Sequence, residues 1–352
     1  MLTLDAGKLT RAQIPVSAGW LLGACMEARG KQDLWVRQKP EVIEALREQA
    51  IIQSAESSNR IEGVTVAQER VRPLVISKAR PRDRSEEELA GYRRALEWIF
   101  SRKRPVSVSA RAVLHLHALA QGGSVGDAGQ WKSKDNEIVE ILPNGERKIR
   151  FKPTSARRTP AMIDKLCANY GEVCGHPDIP PLLTVASFVF DFLCIHPFRD
   201  GNGRVARLIT TLLLVEHDFQ VGLYISLERL VEESKEEYYG TLAACSRGWH
   251  EGTNEIVPWW NYFLGVIHRA YREFEHKVEN AEARPAKSDL VRRAALAQIG
   301  PFTLAELAAQ FPAASRQLIR KVLGHMRDVG ELRLVGKGRG ARWEVSETGH
   351  DR

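Results

Sequence analysis

The sequence predicts a mainly α fold, on three observations. Apolar residues recur at helical spacing along most of the chain, and two neighbouring stretches, 181–196 and 203–218, are apolar almost all round. Extended runs are confined to one central hairpin and to the C-terminal end. Taken in order, "WLLGACMEARGKQDLW" within residues 1–40 reads as a helix that supports the next. "PEVIEALREQAIIQSAESSNRIEG" spaces Val42, Ile43, Leu46, Ile51 and Ile52 for one helix face and meets Gly63, which predicts a helix over 41–62. "SEEELAGYRRALEWIF" opens on a capping-box pattern at Ser85 and Glu88. "SVSARAVLHLHALAQGG" ends on glycines. "NEIVEILPNGERKIRFKPTS" breaks the series with two extended runs around Asn144-Gly145, a strong hairpin signal. A lone hairpin buries itself poorly, so it is either tucked against helices or exposed because something pairs with it. "PLLTVASFVFDFLCIH" predicts a buried central helix and "GRVARLITTLLLVEHD" a second one. "LERLVEESKEEYYGTLAACS" and "EIVPWWNYFLGVIHRAYREFEHKVENA" complete the helical series.

The 352 residues, 43% hydrophobic and 27% charged, have the balance of an ordinary globular protein with room for two or three domains. "MLTLDAGKLTRAQIP" lacks the basic and apolar regions of a signal peptide, and no apolar run reaches the ~18 residues of a membrane span. The expectation is a cytoplasmic protein with no membrane partner. Cys25, Cys167, Cys174, Cys194 and Cys245 show no CxxC spacing, which suits reduced thiols. The net charge is +7, and from Lys287 onward there are 12 Lys/Arg against 7 Asp/Glu. That surplus hints at a nucleic-acid surface near the C-terminus.

"NAEARPAKS", residues 280–288, reads as a linker. Beyond it, "DLVRRAALAQIG", "TLAELAAQF" and "SRQLIRKVLGHMRDVG" predict three helices, the second capped by Thr303 and the third by Ser315. "ELRLVGKGRGARWEV" predicts two strands around a basic, Gly-rich tip. Three helices and a β-wing make a winged helix-turn-helix over 289–352. Arg316, Gln317 and Arg320 open its third helix, where recognition helices reach base edges. Lys337, Arg339 and Arg342 in the wing suit phosphates or a minor groove. Protein contact is the other use of such a domain, and both stay open.

"HPFRDGNGRVAR", residues 196–207, concentrates the chemistry. Gly201-Asn202-Gly203 lets successive backbone N–H groups turn inward as an anion nest, and the helix that follows adds its positive dipole end. Arg204 and Arg207 lie at i, i+3 and are expected to face one side. Asp200 would repel phosphate unless a divalent cation bridged the two. His196 is the one group here that exchanges a proton near neutral pH. This is the pattern of a metal–nucleotide site with a general base beside it.

Those residues match the Fic motif, HPFx(D/E)GNGRxxR, at every fixed position: His196, Pro197, Phe198, Asp200, Gly201, Asn202, Gly203, Arg204 and Arg207. The resemblance implies a helical core, here 106–279, that transfers AMP from ATP to a Ser, Thr or Tyr hydroxyl of a target protein. By the same resemblance His196 deprotonates the hydroxyl, and Asp200 holds Mg²⁺ bridging the α- and β-phosphates. Gly201, Asn202 and Gly203 form the anion hole, Arg204 stabilises the phosphates and Arg207 holds the γ-phosphate. The hairpin, residues 136–153, takes the place of the family's flap, where the target main chain adds as a strand. Gly129-Gln130-Trp131-Lys132 stands where many relatives have Gly-x-Tyr-Arg.

Glu62 falls at a helix C-terminus, where negative charge opposes the dipole, so it is expected to serve another partner. Ser58-x-x-x-Glu62-Gly63 resembles the family's inhibitory motif (S/T)xxxE(G/N), in the class that carries it on an N-terminal helix, here within residues 1–105. The resemblance implies that Glu62 pairs with Arg207 and blocks placement of the γ-phosphate. The expected protein is an autoinhibited adenylyltransferase, able to modify itself, with a homodimer among the partners considered. Two alternatives remain: a DNA-binding regulator whose Fic domain acts mainly on itself, and Fic transfer from a nucleotide other than ATP.

Overall fold

The computed structural model describes residues 2–38, 40–101, 108–122, 126–141, 146–283, 287–298, 300–311, 314–336 and 341–346. It is mainly helical, as the periodicity predicts. The first elements are α1 (Ala6–Leu9), α2 (Val16–Gln38), α3 (Pro40–Ile61), α4 (Gln68–Val75), α5 (Arg84–Phe100) and α6 (Ala110–Ala120). A hairpin follows, β1 (Ile138–Ile141) and β2 (Arg147–Phe151), then α7 (Thr159–Val173), α8 (Pro181–Ile195), α9 (Asn202–Glu216), α10 (Leu227–Glu233), α11 (Lys235–Cys245) and α12 (Val257–Ala283). The last elements are α13 (Lys287–Leu296), α14 (Leu304–Ala309), α15 (Arg316–Asp328), β3 (Leu332–Val335) and β4 (Arg342–Val345). No helix among the described residues is long and apolar enough to cross a membrane.

The chain divides into two compact units, residues 1–276 and 277–352. In the first, α8 is the axis of the core. It starts on Pro180-Pro181, where a missing N–H leaves no helix bond unmade, and every residue from Leu182 to Ile195 is buried. The polar groups along it are satisfied. Trp259 Nε1 donates to Ala186 O at 2.8 Å and Trp260 Nε1 to Ser187 Oγ at 3.0 Å. Asp191, the lone charge in the apolar run, accepts from Thr3 N (3.0 Å), Leu4 N (2.7 Å) and Trp249 Nε1 (2.7 Å). α7 and α9 flank α8, α6 and α5 pack on α9, and α3 lies against α5 and α10. The five cysteines are free, and Cys25, Cys194 and Cys245 are buried.

Four local expectations are corrected. The helix read as 41–62 is Pro40–Ile61, which leaves Glu62 in the turn that Gly63 closes at φ 81°. The capping box at Ser85 and Glu88 does not form: Asp83 is the cap, accepting from Glu86 N at 2.9 Å, and Glu88 is drawn inward by a partner described below. "LERLVEESKEEYYGTLAACS" is two helices, α10 and α11, that break at Ser234. The 280–288 linker is helical through Ala283 and again from Lys287, with 284–286 outside the described residues.

The hairpin is antiparallel, pairing Ile141 with Arg147 and Ile138 with Phe151, and its Asn144-Gly145 turn lies outside the described residues. It is tucked in at the end that carries Phe151. Phe151 stacks on His250 with ring centroids 5.5 Å apart, and His250 Nε2 donates to Lys152 O at 2.7 Å. Ile149 is 45% exposed toward the other end.

In the second unit, α13, α14, α15 and the β3–β4 pair enclose a core of Val291, Phe302, Leu307, Ile319, Leu323, Met326 and Leu332. Thr303 and Glu306 form a reciprocal capping box on α14, and Ser315 caps α15 by accepting from Leu318 N at 3.1 Å. Both caps stand where the sequence puts them.

Candidate active site

The 196–207 loop hangs between α8 and α9 because the chain cannot continue either helix there. His196 ends α8 in the left-handed region, φ 52° and ψ 62°, a strained conformation for a residue with a Cβ. Gly201 opens α9 at φ 80°, where a side chain would be strained and a Cβ would also meet Gln121 Nε2 at 2.8 Å. Between them Phe198 is fully buried, stacked on His117 at 3.7 Å between ring centroids and on Trp131 at 5.3 Å. The Asn202 side chain closes the loop internally: its Oδ1 accepts from Phe198 N (2.9 Å) and its Nδ2 donates to Phe198 O (2.8 Å).

Residues outside the motif hold the loop from behind, and the sequence reading missed them. His117 Nδ1 accepts from Gly129 N at 3.0 Å, so its proton sits on Nε2, which donates to Asp200 O at 3.1 Å. Burial pushes the His117 pKa down to about 4, which keeps that neutral tautomer. Lys132 N donates to Pro197 O (2.9 Å), Lys132 Nζ to Ile195 O (3.2 Å) and to Asn136 Oδ1 (2.7 Å). Asn136 Nδ2 in turn reaches Phe198 O at 3.0 Å. Burial lowers the Lys132 pKa to about 8. The departure at 129–132 is therefore a working part of the loop's support.

His196 presents one ring nitrogen as an acceptor. Its Nδ1 lies 3.3 Å from Leu193 O, an acceptor, so the ring proton is on Nδ1 and the Nε2 lone pair is free. Its pKa falls to about 4, chiefly through burial, so the ring is neutral at physiological pH. The cavity beside it is lined by His196, Gly203, Arg207, Glu62, Arg150 and Tyr239, among others.

The two arginines part company. Arg207 runs toward α3, with Nε donating to Ser58 Oγ (2.8 Å) and Nη2 to Ser58 O (2.9 Å) and Glu62 Oε1 (2.8 Å). Glu62 lies so close to the start of α9 that a Cβ on Gly203 would stand 2.1 Å from its Oε1. The carboxylate thus lies against the N-terminus of α9, beside Arg207. Arg204, expected on the same side, instead runs toward α5. It is 1% exposed, donates from Nη1 to Glu88 Oε2 at 2.7 Å, and lies 3.5 Å from Asp200 Oδ2. Asp200 is 59% exposed on its side chain, and its Oδ1 accepts from Gly201 N at 2.7 Å. An exposed hard oxygen beside an anion nest fits a Mg²⁺ ion shared with a phosphate chain.

In the second unit, Arg316, Gln317 and Arg320 are exposed on the first turns of α15, whose Ile319 and Leu323 are buried. Arg342 is exposed at the start of β4; Lys337 and Arg339 lie outside the described residues.

A family model described as the Fic/DOC family matches residues 107–214. A Fido domain-containing protein of Dictyostelium discoideum is 30% identical over 127 residues, 34% of this chain and 82% of that protein. The protein adenylyltransferase Fic of Nematostella vectensis is 25% identical over 177 residues, which span 49% of this chain and 39% of that one. The solved structure of a Fic family protein from Desulfovibrio desulfuricans superposes with a TM-score of 0.64 at 21% identity, over 97% of this chain and 99% of that one. At that identity the likeness speaks to the fold alone.

Proposed function

Because the chain belongs to the Fic/DOC family, we propose that it is an autoinhibited protein adenylyltransferase that moves AMP from ATP to a side-chain hydroxyl of a target protein. The observation that carries this reading is the Glu62 carboxylate seated over Gly203 and 2.8 Å from Arg207, in the cavity that His196 lines. An anion site filled by the protein's own carboxylate is a site built for an exchangeable anion.

In the working state His196 Nε2 accepts the hydroxyl proton, while Leu193 O holds the ring through Nδ1. The hydroxyl oxygen forms the new bond to the α-phosphorus, and the bond from that phosphorus to the bridging oxygen breaks, releasing pyrophosphate. The Asn202 and Gly203 backbone N–H groups at the start of α9 would meet the phosphate oxygens, where charge builds. Asp200 would hold Mg²⁺, which supplies charge neutralisation of the leaving pyrophosphate. Arg207, freed from Glu62, takes the terminal phosphate. Arg204, locked on Glu88, supports the nest from below.

A charge-assisted hydrogen bond contributes about 1.5–3 kcal/mol, and about 1.4 kcal/mol is tenfold in a population. Glu62→Gly is therefore expected to raise labelling from radiolabelled Mg-ATP by roughly ten- to a hundredfold, with Glu62→Gly/His196→Ala silent. Equal labelling of wild type and Glu62→Gly would sink the inhibition.

The exposed Arg316, Gln317 and Arg320 favour a second, accessory reading: the 289–352 region is a winged helix that takes a DNA duplex. Binding of the full chain to duplex DNA should weaken steeply between 50 and 200 mM salt. No binding at low salt removes this reading and leaves protein contact.

A further inference from the structure

The hairpin carries a cation that the mechanism above leaves unused. β1 and β2 shift register between Ile138 and Val139: Val139 pairs with Ile149, and Ile138 with Phe151. Arg150 is thus the extra residue of a β-bulge. Neighbours on a regular strand point to opposite faces, and a bulge re-aims one of them. Here Arg150 and Phe151, adjacent in sequence, line the same cavity as His196, Gly203 and Arg207.

Inside that cavity Arg150 is unmatched. Its Nε is buried without a hydrogen-bond partner, and its guanidinium carbon stands 6.0 Å from the Tyr239 ring centroid. Three nearby arginines have a carboxylate: Arg207 has Glu62, Arg204 has Glu88, and Arg84 has Glu88 as well. No such pair reaches Arg150 among the described residues. Its charge is felt at the imidazole, where it adds to the forces disfavouring a second proton on His196. A buried cationic N–H without an acceptor is unfavourable, so the loaded site should supply one.

We propose that Arg150 grips an oxygen of the donor's phosphate chain, so that the hairpin closes the nucleotide site as well as docking the acceptor. This deepens the adenylyltransferase reading and rests on it. The donor is preferred over an acidic group on the acceptor because Arg150 shares its cavity with Gly203 and Arg207, the groups that Glu62 now covers.

The test is calorimetric titration of the full chain with Mg-ATP and with adenosine, in the Glu62→Gly background that vacates the seat. Adding Arg150→Met should weaken ATP binding by roughly ten- to a hundredfold and leave adenosine binding unchanged. Arg150→Lys should recover part of the loss. Equal ATP affinity with and without Arg150→Met overturns the proposal. So does an equal loss for adenosine, which would mark a collapsed hairpin. Reduced modification of the acceptor at unchanged ATP affinity also overturns it and assigns Arg150 to an acidic acceptor. If Glu62→Gly alone binds no ATP, the adenylyltransferase reading falls first and takes this proposal with it.

Discussion

Two carboxylates hold two arginines one helical turn apart on α9, at nearly the same distance and in unlike surroundings. Glu88 and Arg204 are 2.7 Å apart with side chains 3% and 2% exposed. Glu62 and Arg207 are 2.8 Å apart with side chains 31% and 6% exposed. The first pair is sealed between α5 and α9, so neither charge can find water if the other leaves. The second opens on the cavity, and Arg207 keeps two bonds to Ser58 when Glu62 is gone. Burial therefore separates a structural ion pair from an exchangeable one more clearly than distance does.

The comparison breaks most readily at Glu88. Glu88→Gln leaves the buried Arg204 charge only its longer contact with Asp200, and denaturant unfolding should show a loss approaching about 3–5 kcal/mol. A loss as small as that of a surface pair would mean that the Arg204 site is wetter than its burial implies.

Next in size is a pH effect on the sealed side. His117, 1% exposed, titrates at about 4 in the fold against 6.5 ordinarily. The unfolded chain therefore takes up this proton first as pH falls. Stability should be full above pH 6.5 and decline toward pH 4, by at most ~3 kcal/mol from this group. His196 shifts in the same direction and shares the window. Replacing His117 with Asn should flatten the decline measured by thermal melts; an unchanged slope would clear His117 of it.

The smallest stability effect belongs to Glu62. Glu62→Gly should lower the unfolding free energy by only about 1.5 kcal/mol, the lower end for a charge-assisted bond because the pair is partly solvated, while raising activity about tenfold or more. A large loss of stability would make Glu62 a structural residue like Glu88 and remove the contrast.

Much of this was legible in one dimension. The buried helices α8 and α9 follow from runs that are apolar all round, and Gly63, Thr303 and Ser315 end or start helices where the chemistry of caps requires. The linear order of the loop exposed a nest, a base and a carboxylate. Other features had no sequence signal, because they are pairings across long separations. Glu88 resembled a cap residue, and only its approach to Arg204, 116 positions away, shows its partner. Likewise, Arg204 and Arg207 share a helix face by spacing, yet diverge because one carboxylate on α5 and another in the turn after α3 pull them apart.

His117, Lys132 and Asn136 bear on the loop only once α6 and the segment before β1 are folded against it. The bulge that turns Arg150 inward depends on strand register, which alternation of residue types does not encode at a single extra residue. The sequence by itself determined the helical class and the position of the hairpin, and it gathered the polar groups of one loop. The tertiary structure alone decided which charges were already taken, since an ion pair's strength and its freedom to exchange depend on burial and geometry rather than on residue type.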